Sequence, residues 1–86
     1  MNEQDRQVRQ TLASLVRKRS VVLSGRKTSV SLEEPFWQAL REIAAERGIT
    51  TAALFNSIAS ERAPGNFSSA LRVFVLEHYR SKRNVS

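Results

Sequence analysis

A run of alternating polar and apolar residues, Arg26-Lys27-Thr28-Ser29-Val30-Ser31-Leu32, leads directly into a helix start at Glu33-Glu34-Pro35. Successive side chains of a strand point to opposite faces, so the polar side chains of Lys27, Ser29 and Ser31 share one face. The more apolar side chains between them share the other face. The pattern predicts a strand that pairs into a two-stranded antiparallel ribbon, with its polar face exposed and its apolar face packed on helices.

The length of the chain, 86 residues, limits it to one small domain. A core of this size is marginally stable on its own, because little surface is buried on folding. The chain has no cysteine, which excludes disulfides and thiolate metal sites, and the single histidine, His78, cannot hold a metal alone. Oligomerisation is the remaining remedy, and the commonest form is a homodimer. We therefore expect a homodimer with no metal and no other cofactor.

The positive charge is concentrated at the two ends of the chain, whose formal net charge is +6. Residues 1–27 hold seven Lys or Arg against two acidic residues, and residues 63–86 hold four against one. Residues 28–62 hold three Arg against five Glu. Basic ends fit a nucleic-acid partner, and an acidic protein or an anionic lipid surface would also be attracted. A two-stranded ribbon is narrow enough to enter the DNA major groove, which favours double-stranded DNA.

Nothing in the sequence indicates export or membrane insertion. No apolar run approaches the roughly 20 residues that a membrane helix needs, and no signal-peptide core follows Met1. We therefore expect a cytoplasmic protein that acts at the nucleoid, with no membrane partner.

Residues 1–19 are interpreted as a basic N-terminal arm. Its apolar side chains lie at helical spacing: Val8, Leu12, Leu15 and Val16. The arm is either a short helix or a segment that becomes ordered on a partner, such as an acidic protein. Residues 20–25 have strand character and either lengthen the ribbon strand or fold back beside it. The domain is predicted to span residues 20–80, and residues 81–86 are predicted to fray.

Three helices are predicted after the ribbon strand. The first runs from about Glu34 to Arg47, and Gly48 ends it in a left-handed conformation. Thr50 is a favourable N-cap for a second helix at about Thr51 to Arg62. After a Pro-Gly break, a third helix spans about Ser68 to Arg80 and is apolar on two sides. A helix of that kind is buried from two sides, which favours a place in a dimer core.

The order of alternating strand, amphipathic helix, glycine turn and Thr-capped helix resembles the ribbon-helix-helix superfamily, of the Arc/Met repressor and CopG type. The resemblance rests on the strand Lys27–Leu32, the apolar helix positions Leu40, Ile43 and Ala44, and the turn Arg47-Gly48-Ile49-Thr50. The string Asn66-Phe67-Ser68-Ser69-Ala70-Leu71-Arg72-Val73-Phe74 is similar to a small bacterial subfamily that has an extra C-terminal helix.

This resemblance implies a mainly helical chain with one short strand, which forms an intertwined homodimer. One strand from each chain would complete the antiparallel β-ribbon, with the helices beneath it and the additional C-terminal helix beside them. It implies base contacts from Lys27, Ser29 and Ser31, and phosphate contacts at Thr50 and Thr51. Arg26 is expected to contact phosphate as well. The side chains expected in the dimer core are Val30, Leu32, Trp37, Leu40, Ile43, Leu54 and Ile58.

The resemblance and the basic ends together indicate a dimeric, sequence-specific DNA-binding protein, a bacterial transcriptional repressor. One alternative is the antitoxin of a toxin–antitoxin pair. Another is a protein-interaction or nucleoid-associated module with little sequence specificity, because Ser29 and Ser31 offer single hydroxyls that tolerate several bases. No catalytic group is predicted. A nucleophile needs an activating base, and no motif in the sequence pairs a nucleophile with the single histidine, His78. We therefore do not expect an enzyme.

Overall fold

The computed structural model describes residues 15–61 and 66–84. Two antiparallel strands are followed by three helices: β1 (Val16–Leu23), β2 (Arg26–Glu33), α1 (Glu34–Arg47), α2 (Thr51–Glu61) and α3 (Phe67–Asn84). The predicted mainly helical architecture, a ribbon followed by helices with an additional C-terminal helix, is confirmed. None of the helices within the described ranges is long and apolar enough to cross a membrane.

The ribbon is a hairpin made by one chain, where a single short strand per chain was expected. Ser24 and Gly25 form the turn between the strands, and both have positive φ angles, 52° and 81°. A two-residue turn of this kind matches the right-handed twist of paired strands, and glycine adopts the second angle without a steric penalty. Residues 20–25 therefore fold back beside β2, which decides between the two alternatives that the sequence left open.

The ends of the domain differ from the expected boundaries. Strand β1 begins at Val16, so the last four residues of the expected 1–19 arm belong to the hairpin. Residues 1–14 lie outside the described part of the chain. Helix α3 continues to Asn84, beyond the expected end at Arg80, because no glycine or proline lies between these positions to end it. Residues 85–86 also lie outside the described ranges.

Helix α1 has the boundaries that the sequence predicts. Proline occupies its first turn, where the missing N–H costs no helical hydrogen bond. At its other end Gly48 is left-handed, with φ 70°. The N–H of Gly48 donates to the carbonyl of Ala45 at 3.1 Å, and that of Ile49 donates to Ala44 at 3.0 Å. These bonds satisfy carbonyls that a helix end leaves open, so α2 can start immediately afterwards.

One apolar core lies between the hairpin and the three helices. The indole of Trp37 meets the ring of Phe55 edge-on, with ring centroids 5.8 Å apart. Helix α3 closes the core with Leu71 and Val75. The seven side chains expected in a dimer core are all buried within one chain: Val30, Leu32, Trp37, Leu40, Ile43, Leu54 and Ile58. Each contributes about 1.5–3 kcal/mol by leaving water, and their place in a dimer stays a prediction.

Candidate nucleic-acid interface

The strand register gathers polar side chains on the outer face of the hairpin. Residues that oppose each other across antiparallel strands share a face. The side chains predicted to contact bases are paired on this face with residues of β1: Lys27 with Val22, Ser29 with Ser20, and Ser31 with Lys18. All six residues are exposed. The hairpin therefore presents one continuous surface, here called the ribbon face, defined by Lys18, Ser20, Lys27, Ser29 and Ser31.

Lys18 and Ser20 were not among the side chains predicted from the sequence. A signal for them was present in the Ser24-Gly25 turn. Once a two-residue turn is assumed, counting away from it in both directions gives the whole register. The uncertainty over residues 20–25 concealed this pairing, because the expected ribbon placed the strand of a second chain, and not residues 16–23, beside β2.

The inner face of the hairpin combines a buried apolar half with two arginines at its edge. Val30 and Leu32 enter the core, with 2% and 0% of their surfaces exposed. Opposite them, the carbonyl of Arg17 accepts a hydrogen bond from the indole N–H of Trp37 at 3.1 Å. The guanidinium of Arg19 lies over the Trp37 ring, 5.4 Å from its centroid, a favourable cation–π geometry. Trp37 is thus a core residue whose polar atom is satisfied.

Side chains from two helices hold the hairpin at its two open edges. Asn56 of α2 donates from Nδ2 to the carbonyl of Val22 at 2.9 Å and accepts the Ser24 N–H at 2.8 Å. The hydroxyl of Ser68 in α3 donates to the carbonyl of Ser31 at 2.7 Å. These contacts fix the ribbon face relative to the helices. Neither Asn56 nor Ser68 was predicted, since no spacing pattern in the sequence links them to the strands.

The start of α2 has the geometry expected of an anion site. The hydroxyl of Thr50 accepts the N–H of Ala53 at 3.0 Å, which confirms its predicted role as N-cap. Helix geometry leaves the N–H groups of Thr51 and Ala52 without an intrahelical acceptor. These N–H groups and the helix dipole favour a negative charge here. Whether Thr50 and Thr51 bind a phosphate stays a prediction.

Two arginines lie in the cleft beside this helix start. Arg19 from β1 and Arg41 from α1 line the cleft together with Thr51. Both guanidinium groups contact the carboxylate of Glu34, at 3.0 Å and 3.2 Å. One carboxylate between two guanidinium groups leaves a net positive charge, so the cleft adds to the attraction for an anion.

Arg26 is not part of the ribbon face. It lies at the hairpin tip opposite Leu23 and is exposed. The alternation of a strand places it on the opposite side from Lys27. Arg26 and Lys27 therefore point to different sides of the ribbon. A phosphate contact from Arg26 would come from the hairpin tip, outside the ribbon face.

An ion pair neutralises the acidic end of the ribbon. The carboxylate of Glu33 receives two hydrogen bonds from Arg72 of α3, at 2.9 Å and 3.3 Å. The hydrogen bond from Arg72, more than any other interaction, lowers the pKa of Glu33 below its ordinary value. The pair keeps the negative charge of Glu33 from standing alone beside Ser31, and so preserves the positive character of the ribbon face.

A two-stranded ribbon, an amphipathic helix, a left-handed glycine turn and a Thr-capped second helix together define a ribbon-helix-helix domain. A family model with the description ribbon-helix-helix domain matches residues 16–79, and the chain belongs to this family. Members are typically DNA-binding regulators or antitoxins, generally bind DNA as dimers, and are not enzymes as a class. The family membership predicted from the sequence is confirmed.

The structure is similar to that of an uncharacterized protein from Bordetella pertussis Tohama I. The two chains share 30% sequence identity, with a TM-score of 0.75. The similarity covers 98% of this chain and 73% of that chain. Comparison with the curated proteins finds no significant match.

Proposed function

We propose that this protein is a dimeric, sequence-specific DNA-binding regulator, a bacterial transcriptional repressor that acts at the nucleoid in the cytoplasm. One observation carries the proposal. Two lysines and three serines form an exposed surface on a ribbon that is two strands wide: Lys18, Ser20, Lys27, Ser29 and Ser31. These side chains can donate and accept hydrogen bonds at base edges.

The dimensions of the hairpin suit the major groove. Neighbouring strands lie about 4.8 Å apart, and the groove is about 12 Å wide, so two strands with their side chains fit. Lys27 and Ser31 are four residues apart along β2, a distance of about 13 Å in a strand. This length corresponds to about four base-pair steps of 3.4 Å. One hairpin would therefore read a half-site of about that length.

The start of α2 and two exposed arginines, Arg41 and Arg26, would bind the phosphates on either side of the groove. In this arrangement the N–H groups at Thr51 and Ala52 bind one phosphate, with Arg41 beside them, and Arg26 reaches another from the hairpin tip. Phosphate contacts of this kind position a protein on DNA, whereas contacts to base edges select the sequence. The ribbon face and the α2 start would thus divide specificity and affinity between them.

A dimer would bring a second ribbon to a second half-site. Since one chain already makes a complete two-stranded ribbon, the partner is not needed to complete the reading surface. Two-fold symmetry in the protein requires an inverted repeat in the DNA. We therefore expect a palindromic operator with two short half-sites.

The test is selection from a random duplex DNA library at near-physiological salt, followed by sizing of the complex with the recovered site. A palindromic motif bound by two chains is the expected result. Retention without any motif, with a steep dependence on salt, would contradict the proposal. It would favour the second candidate, a protein-interaction or nucleoid-associated module, which is supported by the three short serines on the ribbon face.

A further inference from the structure

Val22 is an apolar side chain on the outer side of the hairpin, close to its turn. It lies opposite Lys27 in the strand register, and so on the same side as the ribbon face. Its exposed fraction is 52%. The other two pairs of the ribbon face contain only lysine and serine. Those polar side chains can form hydrogen bonds with base edges, whereas Val22 can make only an apolar contact.

Helix α2 fixes the backbone at Val22. The carbonyl of Val22 accepts a hydrogen bond from Nδ2 of Asn56 at 2.9 Å, and Oδ1 of Asn56 accepts the N–H of Ser24 at 2.8 Å. Nδ2 also donates to the carbonyl of Ala52 in the preceding turn of α2, at 2.8 Å. The isopropyl group is itself stiff, because branching at Cβ restricts its rotamers. Val22 would therefore lose little conformational freedom on contact with a partner.

Val22 also lies close to the start of α2, where the proposed phosphate contact would be made. Thr51 lines a cleft together with Ser20 and Val21, the two residues directly before Val22. A DNA backbone bound at the start of α2 would therefore run past this part of the hairpin. The side chain of Val22 would then meet base edges in the major groove.

The major groove offers an apolar group that matches this side chain. Thymine presents its 5-methyl group there, among the hydrogen-bond donors and acceptors of the other base edges. The outward carbonyl of Val22 is typical of a non-hydrogen-bonded strand pair, in which opposing Cα atoms are about 4.5 Å apart. Base pairs are spaced by about 3.4 Å. Val22 and Lys27 would therefore reach the same base pair or neighbouring ones.

We propose that Val22 contacts the 5-methyl group of a thymine that lies within about one base-pair step of the base contacted by Lys27. This inference rests on the proposed function, because it assigns a role to a further side chain on the same DNA-binding surface. Lysine is suited to the O6 and N7 acceptors of guanine. The two neighbouring side chains would thus select a thymine beside a guanine, and the short serines would leave specificity concentrated at this end of the half-site.

Replacement of thymine by deoxyuridine tests the contact without any change in the protein, because deoxyuridine lacks only the 5-methyl group. Each thymine of the operator recovered by selection is replaced in turn, in both half-sites together, and Kd is measured by fluorescence anisotropy. We expect one sensitive position, beside the base pair at which Lys27→Ala weakens preference. There Kd should rise about fifteenfold, or about fourfold for each lost methyl contact.

Val22→Ala identifies the side chain that makes the contact. Alanine keeps the backbone carbonyl that Asn56 binds and removes both methyl groups, so Kd for the unmodified operator should rise by a similar factor. Deoxyuridine at the sensitive position should then cause no further loss, since the two changes remove the same contact. Val22→Thr keeps one of the two methyl groups and should retain part of the sensitivity.

Val16→Ala is the matched control for Val22→Ala. Val16 lies on the same face of β1 and has a nearly equal exposed fraction, 53%. It is six residues from Val22, about 20 Å along the strand, and it lies opposite Glu33. Val16→Ala should leave both Kd and the sensitivity to deoxyuridine unchanged. Thermal melts should show that both alanine variants are folded, because both positions are exposed.

Three results would overturn the proposal. The operator could lack a thymine beside the base pair contacted by Lys27, the unchanged chain could bind every deoxyuridine operator equally well, or Val22→Ala could keep the full effect of deoxyuridine. Equal losses in Val16→Ala and Val22→Ala would contradict it as well. Failure of the proposed function gives a different result, since selection with the unchanged chain would then recover no motif, and the methyl contact would be rejected with it.

Discussion

The two faces of strand β2 are formed by alternate residues of the same short segment, and they differ in burial. Val30 and Leu32 are buried beneath the ribbon, while Ser29 and Ser31 between them are exposed on the ribbon face. A change on the inner face acts on the free energy of unfolding. We expect a change on the outer face to leave that free energy nearly constant and to act on the proposed DNA binding. One residue of displacement along the strand thus separates a buried position from an exposed one.

The strongest test of this comparison places the same substitution on both faces. Val30→Asp buries a carboxylate among apolar side chains, and we expect a loss of several kcal/mol, enough to unfold the domain and any dimer built from it. Ser29→Asp, one residue away, should keep the unfolding free energy within about 0.5 kcal/mol and abolish DNA binding by repelling phosphates. Thermal unfolding, size-exclusion chromatography and DNA titration measure the three effects. A folded dimeric Val30→Asp variant would show that the faces are assigned the wrong way round.

The next effect concerns affinity for DNA. Lys27→Ala removes an ammonium group from the ribbon face, and we expect Kd for the selected operator to rise about tenfold, or 1.4 kcal/mol. Preference at the contacted base pair should weaken as well. Fluorescence anisotropy with operator and mutated operator DNA measures both quantities.

The matched control for this variant is Lys82→Ala. Lys82 lies on α3 and pairs with Glu46 at 2.6 Å, far along the chain from the hairpin, and an exposed pair of this kind adds little to stability. Operator affinity should be unchanged in this variant. Equal losses in the two variants would mean that overall charge, and not the ribbon face, determines binding.

A smaller effect is expected at the helix start that would bind phosphate. Thr50→Ala removes the acceptor for the Ala53 N–H, which should cost about 1 kcal/mol of unfolding free energy. Thr50→Ser keeps a hydroxyl at the same position and should restore most of this loss. Thermal melts of both variants provide the measurement, and a melting temperature for Thr50→Ala equal to that of the unchanged chain would show that the cap does not contribute.

The smallest predicted effect is a pH dependence of the free energy of unfolding. The pKa of Glu33 is lowered from 4.5, chiefly by the hydrogen bond from Arg72, so the folded state holds the ionised form more strongly than the unfolded state. The contribution to stability is present above the unfolded pKa and is lost as the pH falls through the lowered folded pKa. Solvent screens this exposed pair, so the slope should be shallow. Denaturant unfolding at a series of acidic pH values measures this slope of the unfolding free energy. Arg72→Ala should remove the part that Glu33 contributes, and Arg80→Ala should retain it. Identical slopes in the two variants would show that the Glu33–Arg72 pair does not cause the effect.

Local signals in the sequence predicted much of the fold. Gly48 and Thr50 mark the α1–α2 junction by backbone conformation and capping, which depend on neighbouring residues alone. Apolar periodicity likewise identified which side chains are buried. Periodicity cannot reveal what covers those side chains, however, and the side chains expected in a dimer core are buried by elements of their own chain.

The unpredicted parts of the candidate site depend on contacts between residues distant in sequence. Lys18 joins Ser31 through strand register, which required the turn to be recognised first. Asn56 reaches Val22 across 34 positions in the chain, and asparagine in a helix gives no indication of such a partner. Residues that anchor a surface are therefore harder to predict than residues that form it.

The hydrogen bonds from Asn56 and Ser68 to the hairpin have a consequence for the behaviour of the protein in concentrated solution. An open strand edge invites another strand to add to it and so seeds aggregation. Here the carbonyl of Val22 on one edge and that of Ser31 on the other are already occupied by helix side chains. A strand from a neighbouring molecule would have to displace a helix contact on either side before it could pair along the full ribbon. The chain can therefore keep the ribbon face exposed while resisting growth of the sheet.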